Sequence, residues 1–172
     1  MIRHSKSLIL VWQLAELEAL NLKQDTIKPA HFLLGILKVV DIDLFKILEK
    51  QVEEVADEIR YDIVDLKSCL GEFVLDTTYT RRFLRGILPE GCAEPTPGGL
   101  RRAKSTRVVF GAAETLALKT SSPVLPIHLL LALLEAEDAH IKTALEKVQV
   151  DINQFSKFIE IFLSKPLRRC TG

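Results

Sequence analysis

The sequence predicts an all-α fold: a duplicated helical module whose two copies share one core across a long joint. Three observations carry that expectation. One phrase of sequence occurs twice, as Ala19 to Lys23 with Ile27 to Leu37, then as Thr115 to Lys119 with Val124 to Leu134. Apolar residues recur at spacings of three and four through both copies, which is one face of an amphipathic helix. Aromatics make up only 6% of the chain, and the Leu, Ile, Val and Ala that dominate suit helix-on-helix packing better than a sheet. A single copy buries too little to be stable alone, so the two must pack together.

The first element spans about Ser5 to Leu22, with Leu8, Val11, Trp12, Ala15, Ala19 and Leu22 on one face. A polar loop follows from Asn21 to Lys28. Pro29 opens a second helix, because proline is tolerated where first-turn N–H groups have no helical partner; Phe32, Leu33, Ile36 and Leu37 form its apolar side. Asp41 to Asp43 start a short third helix carrying Leu44, Ile47 and Leu48, and a fourth runs from about Gln51 through Val55 and Ile59. In the second copy the first helix covers Arg101 to Lys119, with Val108, Ala112, Thr115 and Leu116 on one face. After the loop Thr120 to Pro123, Pro126 opens a Leu-rich helix to about Glu135. Asp138 starts the next, with Ile141, Ala144, Leu145 and Val148. Asp151 starts the last, with Ile152, Phe155, Ile159 and Phe162.

The copies are not evenly spaced. His31 and His128 are 97 residues apart, but Leu22 and Leu118 are 96 apart, so the second copy is expected to carry one extra residue in the loop before its proline. Leu48 to Lys50 and Leu145 to Lys147 close each copy at the same distance from its histidine. The implied division is repeat 1 at 1–60, a joint at 61–100, repeat 2 at 101–165 and a tail at 166–172, all within one compact domain. In the joint, the breaker-rich stretch Pro89 to Gly99 reads as loop, and Thr80 to Leu88 as a short helix. A joint that long and irregular is either functional or mobile.

Net charge is formally zero, so no overall pull toward nucleic acid or anionic lipid is expected. The two parts nevertheless differ: residues 1–76 carry about −5 and residues 77–172 about +5. Solvated surface and attraction between the halves is the plain reading. The sharper one is a basic partner-binding patch around Arg81, Arg82, Arg85, Arg101, Arg102, Lys104 and Arg107; without interleaved aromatics it is a poor match to nucleic-acid modules. Cys69, Cys92 and Cys170 are odd in number and form no C-x-x-C pair, which argues against structural zinc and a disulfide framework and for a reducing compartment. Apolar runs such as Leu129 to Leu134 are too short to span a bilayer. The start runs straight into repeat 1, leaving no room for a removable secretory peptide, so a cytoplasmic location is expected.

The doubled pattern Ile27-x-Pro29-x-His31-x-Leu33-Leu34-Gly35 resembles the N-terminal domain of Clp-family AAA+ unfoldases, over nearly the whole chain except the joint. The resemblance implies about eight helices in two four-helix units related by an approximate twofold. It also implies a role in docking substrate or adaptor proteins, partly along a groove between the units. Two departures matter. No G-x-x-x-x-G-K-[ST] occurs; residues 98–105 lack its spacing, so ATP hydrolysis by a P-loop is not expected. The chain thus resembles the small stand-alone proteins that accompany Clp peptidase cores. Clp domains of one type also place an acidic residue just before this histidine, where it helps hold phosphorylated arginine. Here Ala30 and Ile127 stand there, after Pro29 and Pro126, and the guanidinium lacks its counter-charge. That argues against phosphoarginine recognition.

His31 and His128 invite a catalytic reading, yet each sits in the first turn of an apolar helix, where an imidazole can satisfy a loop carbonyl. Neither has a metal-site partner, and no Cys, His and acid signature marks a nucleophile. Glu53, Glu54, Asp57 and Glu58 read as a solvated helix face, or as a contact for a basic adaptor. Pro29, His31, Leu33 and Leu34, with Pro126, His128, Leu130 and Leu131, are the structural motif of the repeat. Partner contacts are expected at Ser5, the start of copy 1, at Arg101 as its match in copy 2, and at Arg102, Arg81 and Arg82. The expectation is therefore a non-enzymatic protein-binding module without cofactor or metal, taking substrate polypeptides, adaptors or Clp subunits as partners. The alternative is a helical regulator that binds a small ligand or nucleic acid through the basic joint.

Overall fold

The structure is a computed structural model that describes residues 2–94 and 99–166, the Phe45 side chain excepted. The Pro95 to Gly98 part of the expected loop, Cys170 and most of the tail lie outside the described residues. Among the described residues the chain forms nine helices: α1 (Lys6–Asn21), α2 (Pro29–Val39), α3 (Leu44–Leu48), α4 (Glu53–Glu72), α5 (Thr77–Ile87), α6 (Lys104–Lys119), α7 (Pro126–Glu135), α8 (Ala139–Lys147) and α9 (Ile152–Ser164). The all-α double-repeat expectation therefore holds.

Side-chain caps fix several starts by satisfying orphan N–H groups. The Ser5 hydroxyl accepts from Leu8 N–H at 3.1 Å. Asp76 accepts from Tyr79 N–H at 2.8 Å, and Asp151 from Gln154 N–H at 2.9 Å. Asp138 accepts from the N–H groups of His140 and Ile141.

Two short strands were not expected. Thr26–Ile27 (β1) pairs in parallel with Arg101–Arg102 (β2), and an isolated parallel bridge joins His4 to Val124. These are the same feature seen twice. Ser5 N–H donates to the Val124 carbonyl at 3.0 Å, and Ala103 N–H to the Ile27 carbonyl at 3.0 Å. Each repeat thus sends the residues before its first helix to the loop before the proline of the other. The polar loop 21–28 and the first turn assigned to a helix at Arg101 are both corrected by this exchange.

The register of the repeat is corrected too. α1 and α6 are both 16 residues long and start 98 residues apart, whereas the proline helices start 97 apart. Leu22 matches Thr120, not Leu118, so the second loop is one residue shorter rather than longer. The buried face of α6 is accordingly Thr106, Val109, Phe110, Ala113 and Ala117, whereas Val108, Ala112 and Thr115 are exposed.

The boundary drawn at residue 60 falls inside α4, which continues to Glu72 by burying Ile63, Leu66, Cys69 and Leu70. The joint is therefore largely helical, with α5 packed on α2 and α8. One hydrophobic cluster runs through both repeats, including Leu33, Leu34, Leu130 and Leu131, each at most 1% exposed. α2 and α7 pack together within it.

Candidate functional site

The boundary between repeats is an aromatic seam. Trp12 and Phe110 are equivalent at the corrected spacing, and their ring centroids stand 5.2 Å apart. Phe32 packs edge-on against both, at 5.8 and 5.0 Å. Arg102 lays its guanidinium over both rings, 4.6 Å from Trp12 and 4.7 Å from Phe110, a cation–π arrangement. Its counterpart in repeat 1, His4, stands 5.9 Å from Phe110, with Nε2 3.6 Å from a Glu114 carboxylate oxygen. Arg102, Trp12 and His4 are half-buried, so the seam reaches the surface. Burial holds Arg102 below its ordinary pKa; Glu114 opposes that and Arg107 adds to it.

The other expected contact residues scatter. Ser5 is 1% exposed; besides capping α1, its hydroxyl lies 2.8 Å from Ser7 Oγ, which donates to Asp62 at 2.5 Å. Ser5 is thus a buried capping residue rather than a contact, and its true counterpart is Ala103, not Arg101. Arg81 donates to Asp41 at 2.9 Å beside Thr77, which donates to the same oxygen at 2.7 Å. Arg85 grips the buried Glu18 with both arms, at 2.8 and 2.5 Å, with Lys38 at 3.8 Å from the same carboxylate. Glu18 holds the Arg85 pKa up. Arg82 and Arg101 are exposed. The basic stretch of sequence is therefore partly spent on internal pairs.

The two histidines cap their own helices. Each Nδ1 accepts the N–H of the residue before its proline: Lys28 for His31 at 2.9 Å, and Leu125 for His128 at 3.1 Å. That is the backward half of a capping box, with imidazole where Glu or Gln is usual. Accepting at Nδ1 needs a neutral ring there. Burial, aided by Lys28 and opposed by Glu18 and Asp138, pushes the His31 pKa down to about 4. His128 Nε2 stands 3.2 Å from Thr120 Oγ1. Ala30 and Ile127, at the positions read against phosphoarginine, are 1% and 2% exposed.

Cys69 is buried, and burial, with Asp65 adding, pushes its thiol up to about 12, leaving it inert as a nucleophile. Cys92 is exposed. Among the described residues no helix is long and apolar enough to cross a membrane, and no group of three or more His, Cys, Asp or Glu is placed to hold a metal. Clefts open on repeat 2. One, about 930 Å³, lies between α7, α8 and α9 over Leu133, Leu134, Ile141 and Val150. Its rim is mainly acidic; burial, with Glu160 adding and Lys119 opposing, raises the Glu135 pKa.

Sequence reasoning missed the seam, the strand exchange and the Glu18–Arg85 pair. A comparison at a spacing of 98 points toward the first, since it aligns Trp12 with Phe110 and His4 with Arg102. Helical spacing does put Glu18 on the buried face of α1, three residues after Ala15 and four before Leu22, but nothing local pairs it with Arg85.

Interlocked helical repeats closed by an aromatic seam define the class: a pseudo-twofold, all-α double-repeat domain. Residues 103–168, the second repeat, match the family model described as the Clp repeat (R) N-terminal domain. Solved structures extend the likeness to about 95% of the chain. The N-terminal domain of the Hsp104 of Candida albicans is similar at 19% identity and TM-score 0.66, covering 95% of this chain and 93% of that one. The N-terminal domain of the caseinolytic protease associated chaperone ClpD from Arabidopsis thaliana is similar at 18% identity and TM-score 0.59, covering 95% and 96%. A chain from a malarial protein secretion system gives 15% identity and TM-score 0.65, covering 96% and 97%. No curated protein matches the sequence. The chain has the Clp N-terminal double-repeat fold.

Proposed function

We propose that the chain is a non-catalytic protein-docking module that receives substrate or adaptor polypeptides, or serves as an accessory factor of a Clp protease or chaperone in the cytoplasm. The observation that carries this reading is the likeness, end to end, to N-terminal domains of Hsp104 and of the chaperone ClpD. The polar groups that invite catalysis support it from the other side. His31 and His128 are engaged as helix caps, Ser7 is bound to Asp62, and the Cys69 thiol is held protonated. What remains for company is surface: the seam at Trp12 and Arg102, the exposed Arg82 and Arg101, and the clefts of repeat 2. Affinity capture from native cytosol, read by mass spectrometry, tests the reading. Recovery of Clp peptidase or unfoldase subunits, or of unfolded substrates, supports it. Their consistent absence, with no retention of an unfolded model protein, counts against it.

A further inference from the structure

The turns that end α1 and α6 have the same backbone. Lys23 N–H donates to Leu20 at 2.9 Å and Gln24 N–H to Ala19 at 2.9 Å; 98 residues later Ser121 donates to Leu118 at 3.1 Å and Ser122 to Ala117 at 3.0 Å. Lys23 and Ser121 share the left-handed conformation, with φ of 51° and 50°.

What covers the two turns differs. On the first lies the chain's own segment 89–93. Gly91 N–H donates to the Leu22 carbonyl at 2.8 Å, and Ala93 N–H to the Lys23 carbonyl at 3.0 Å. Gln24 Nε2 donates to the Pro89 carbonyl at 2.6 Å, and Lys23 pairs with Glu90 at 2.9 Å. Only glycine fits at the centre, since a Cβ on Gly91 would stand 2.2 Å from the Lys23 carbonyl oxygen. On the second turn, among the described residues, no backbone N–H donates to the Thr120 or Ser121 carbonyl. Among the described residues, Thr120, Ser121 and Ser122 instead line a cleft of about 710 Å³.

We infer that this cleft docks an extended, glycine-centred segment of a partner polypeptide, laid on the Thr120 and Ser121 carbonyls as residues 89–93 lie on those of Leu22 and Lys23. The inference rests on the protein-docking reading and names a place and a chemistry for it. Main-chain N–H groups of the segment donate to the turn, which gives affinity without demanding sequence. Glycine at the centre gives the close approach. Leu116, Leu131 and Leu163 offer an apolar wall to flanking side chains, and among the described lining residues Lys119 and Lys165, set against Glu160, favour a carboxylate beside the glycine. Lys23 already receives Glu90 in that way.

The test is a titration of the ¹⁵N-labelled full chain with a peptide copying residues 87–94, followed by NMR. Saturable shifts at residues 119–122 and 163–165 are expected. The peptide carrying Gly91→Val should bind at least tenfold more weakly. Ser164→Trp, an exposed change at the cleft wall, should abolish those shifts with the melting temperature kept. Shifts confined to residues 22–24 would mean that the peptide only displaces its own copy, and would overturn the site. So would the absence of saturable shifts, or the same shifts on concentrating the protein alone, which would make a second copy the occupant. Partner capture that survives Ser164→Trp unchanged would sink this site and leave the docking function standing.

Discussion

Trp12 and Phe110 hold equivalent places in the two repeats, and their rings meet across the boundary at 5.2 Å. Phe110 is 1% exposed, so Phe110→Ala should cost about 3–5 kcal/mol, and Trp12→Ala less because that ring is half-buried. The double variant should show a coupling of about 0.5–1.5 kcal/mol, the usual worth of an aromatic pair beyond its area. Urea titrations of the four proteins measure it. Strict additivity would make the rings neighbours without consequence.

Leu34 and Leu131 are each fully buried in the cluster that both repeats share. Leu34→Ala and Leu131→Ala should each cost about 2–5 kcal/mol, through lost transfer energy and the cavity left behind. Because the core is continuous, each variant should lower a single cooperative transition. Two transitions, with only one moved by each substitution, would refute a shared interior.

Much of this fold is legible in the sequence because helix starts and apolar spacing are local signals. Pro29, Pro126, Asp138 and Asp151 all mark starts where the structure has them. The spacing error arose because Ala19 to Lys23 and Thr115 to Lys119 look alike in letters, while burial aligns Ala19 with Ala117. That slip placed the buried face of α6 on Val108, which is 69% exposed, and matched Ser5 with Arg101. The strand exchange rests on backbone bonds between residues about a hundred positions apart, such as Val124 N–H to Arg3 at 2.9 Å. No periodicity reports such bonds. The turns after α1 and α6 share one conformation, and no local signal in the sequence marks which of them segment 89–93 covers.

His31 gives the fold a pH dependence of definite sign. Its pKa falls from the usual 6.5 to about 4 in the native chain, mainly through burial. Between those values the unfolded chain binds the proton and the native chain does not. The stability held by this group is therefore complete above about pH 6.5 and is lost as pH falls toward 4, about 3 kcal/mol in all. His31→Gln keeps an acceptor for Lys28 N–H without titrating. Chemical denaturation at several pH values should show a shallower slope for that variant between pH 6.5 and 4. An unchanged slope would clear His31 of the effect.

Glu18 is 1% exposed, and Arg85 is its chief partner. Arg85→Met leaves the carboxylate buried with only Lys38, at 3.8 Å, and should cost about 3–5 kcal/mol, as for other broken buried pairs. Glu18→Leu combined with Arg85→Met removes both charges and should recover most of that loss. If the double variant were no more stable than Arg85→Met alone, the cost would come from α5 packing instead of the stranded charge.

Gly35 sits where α2 crosses α1, and a Cβ there would stand 2.7 Å from the Val11 carbonyl oxygen and 3.1 Å from the Ala15 nitrogen. Both neighbours are backbone atoms of one helix, so relief requires moving α1 as a body. Alanine gains about 1 kcal/mol over glycine in a helix interior, but overpacking costs about 1–3 kcal/mol, and here the second effect should win. Gly35→Ala should therefore lower the melting temperature, and Gly35→Val should lower it further. Ala132, the counterpart in repeat 2, already carries the methyl group, so Ala132→Gly should cost about 1 kcal/mol from propensity and gain nothing at its crossing. A Gly35→Ala variant more stable than the parent would show that α1 yields to the added carbon at little cost.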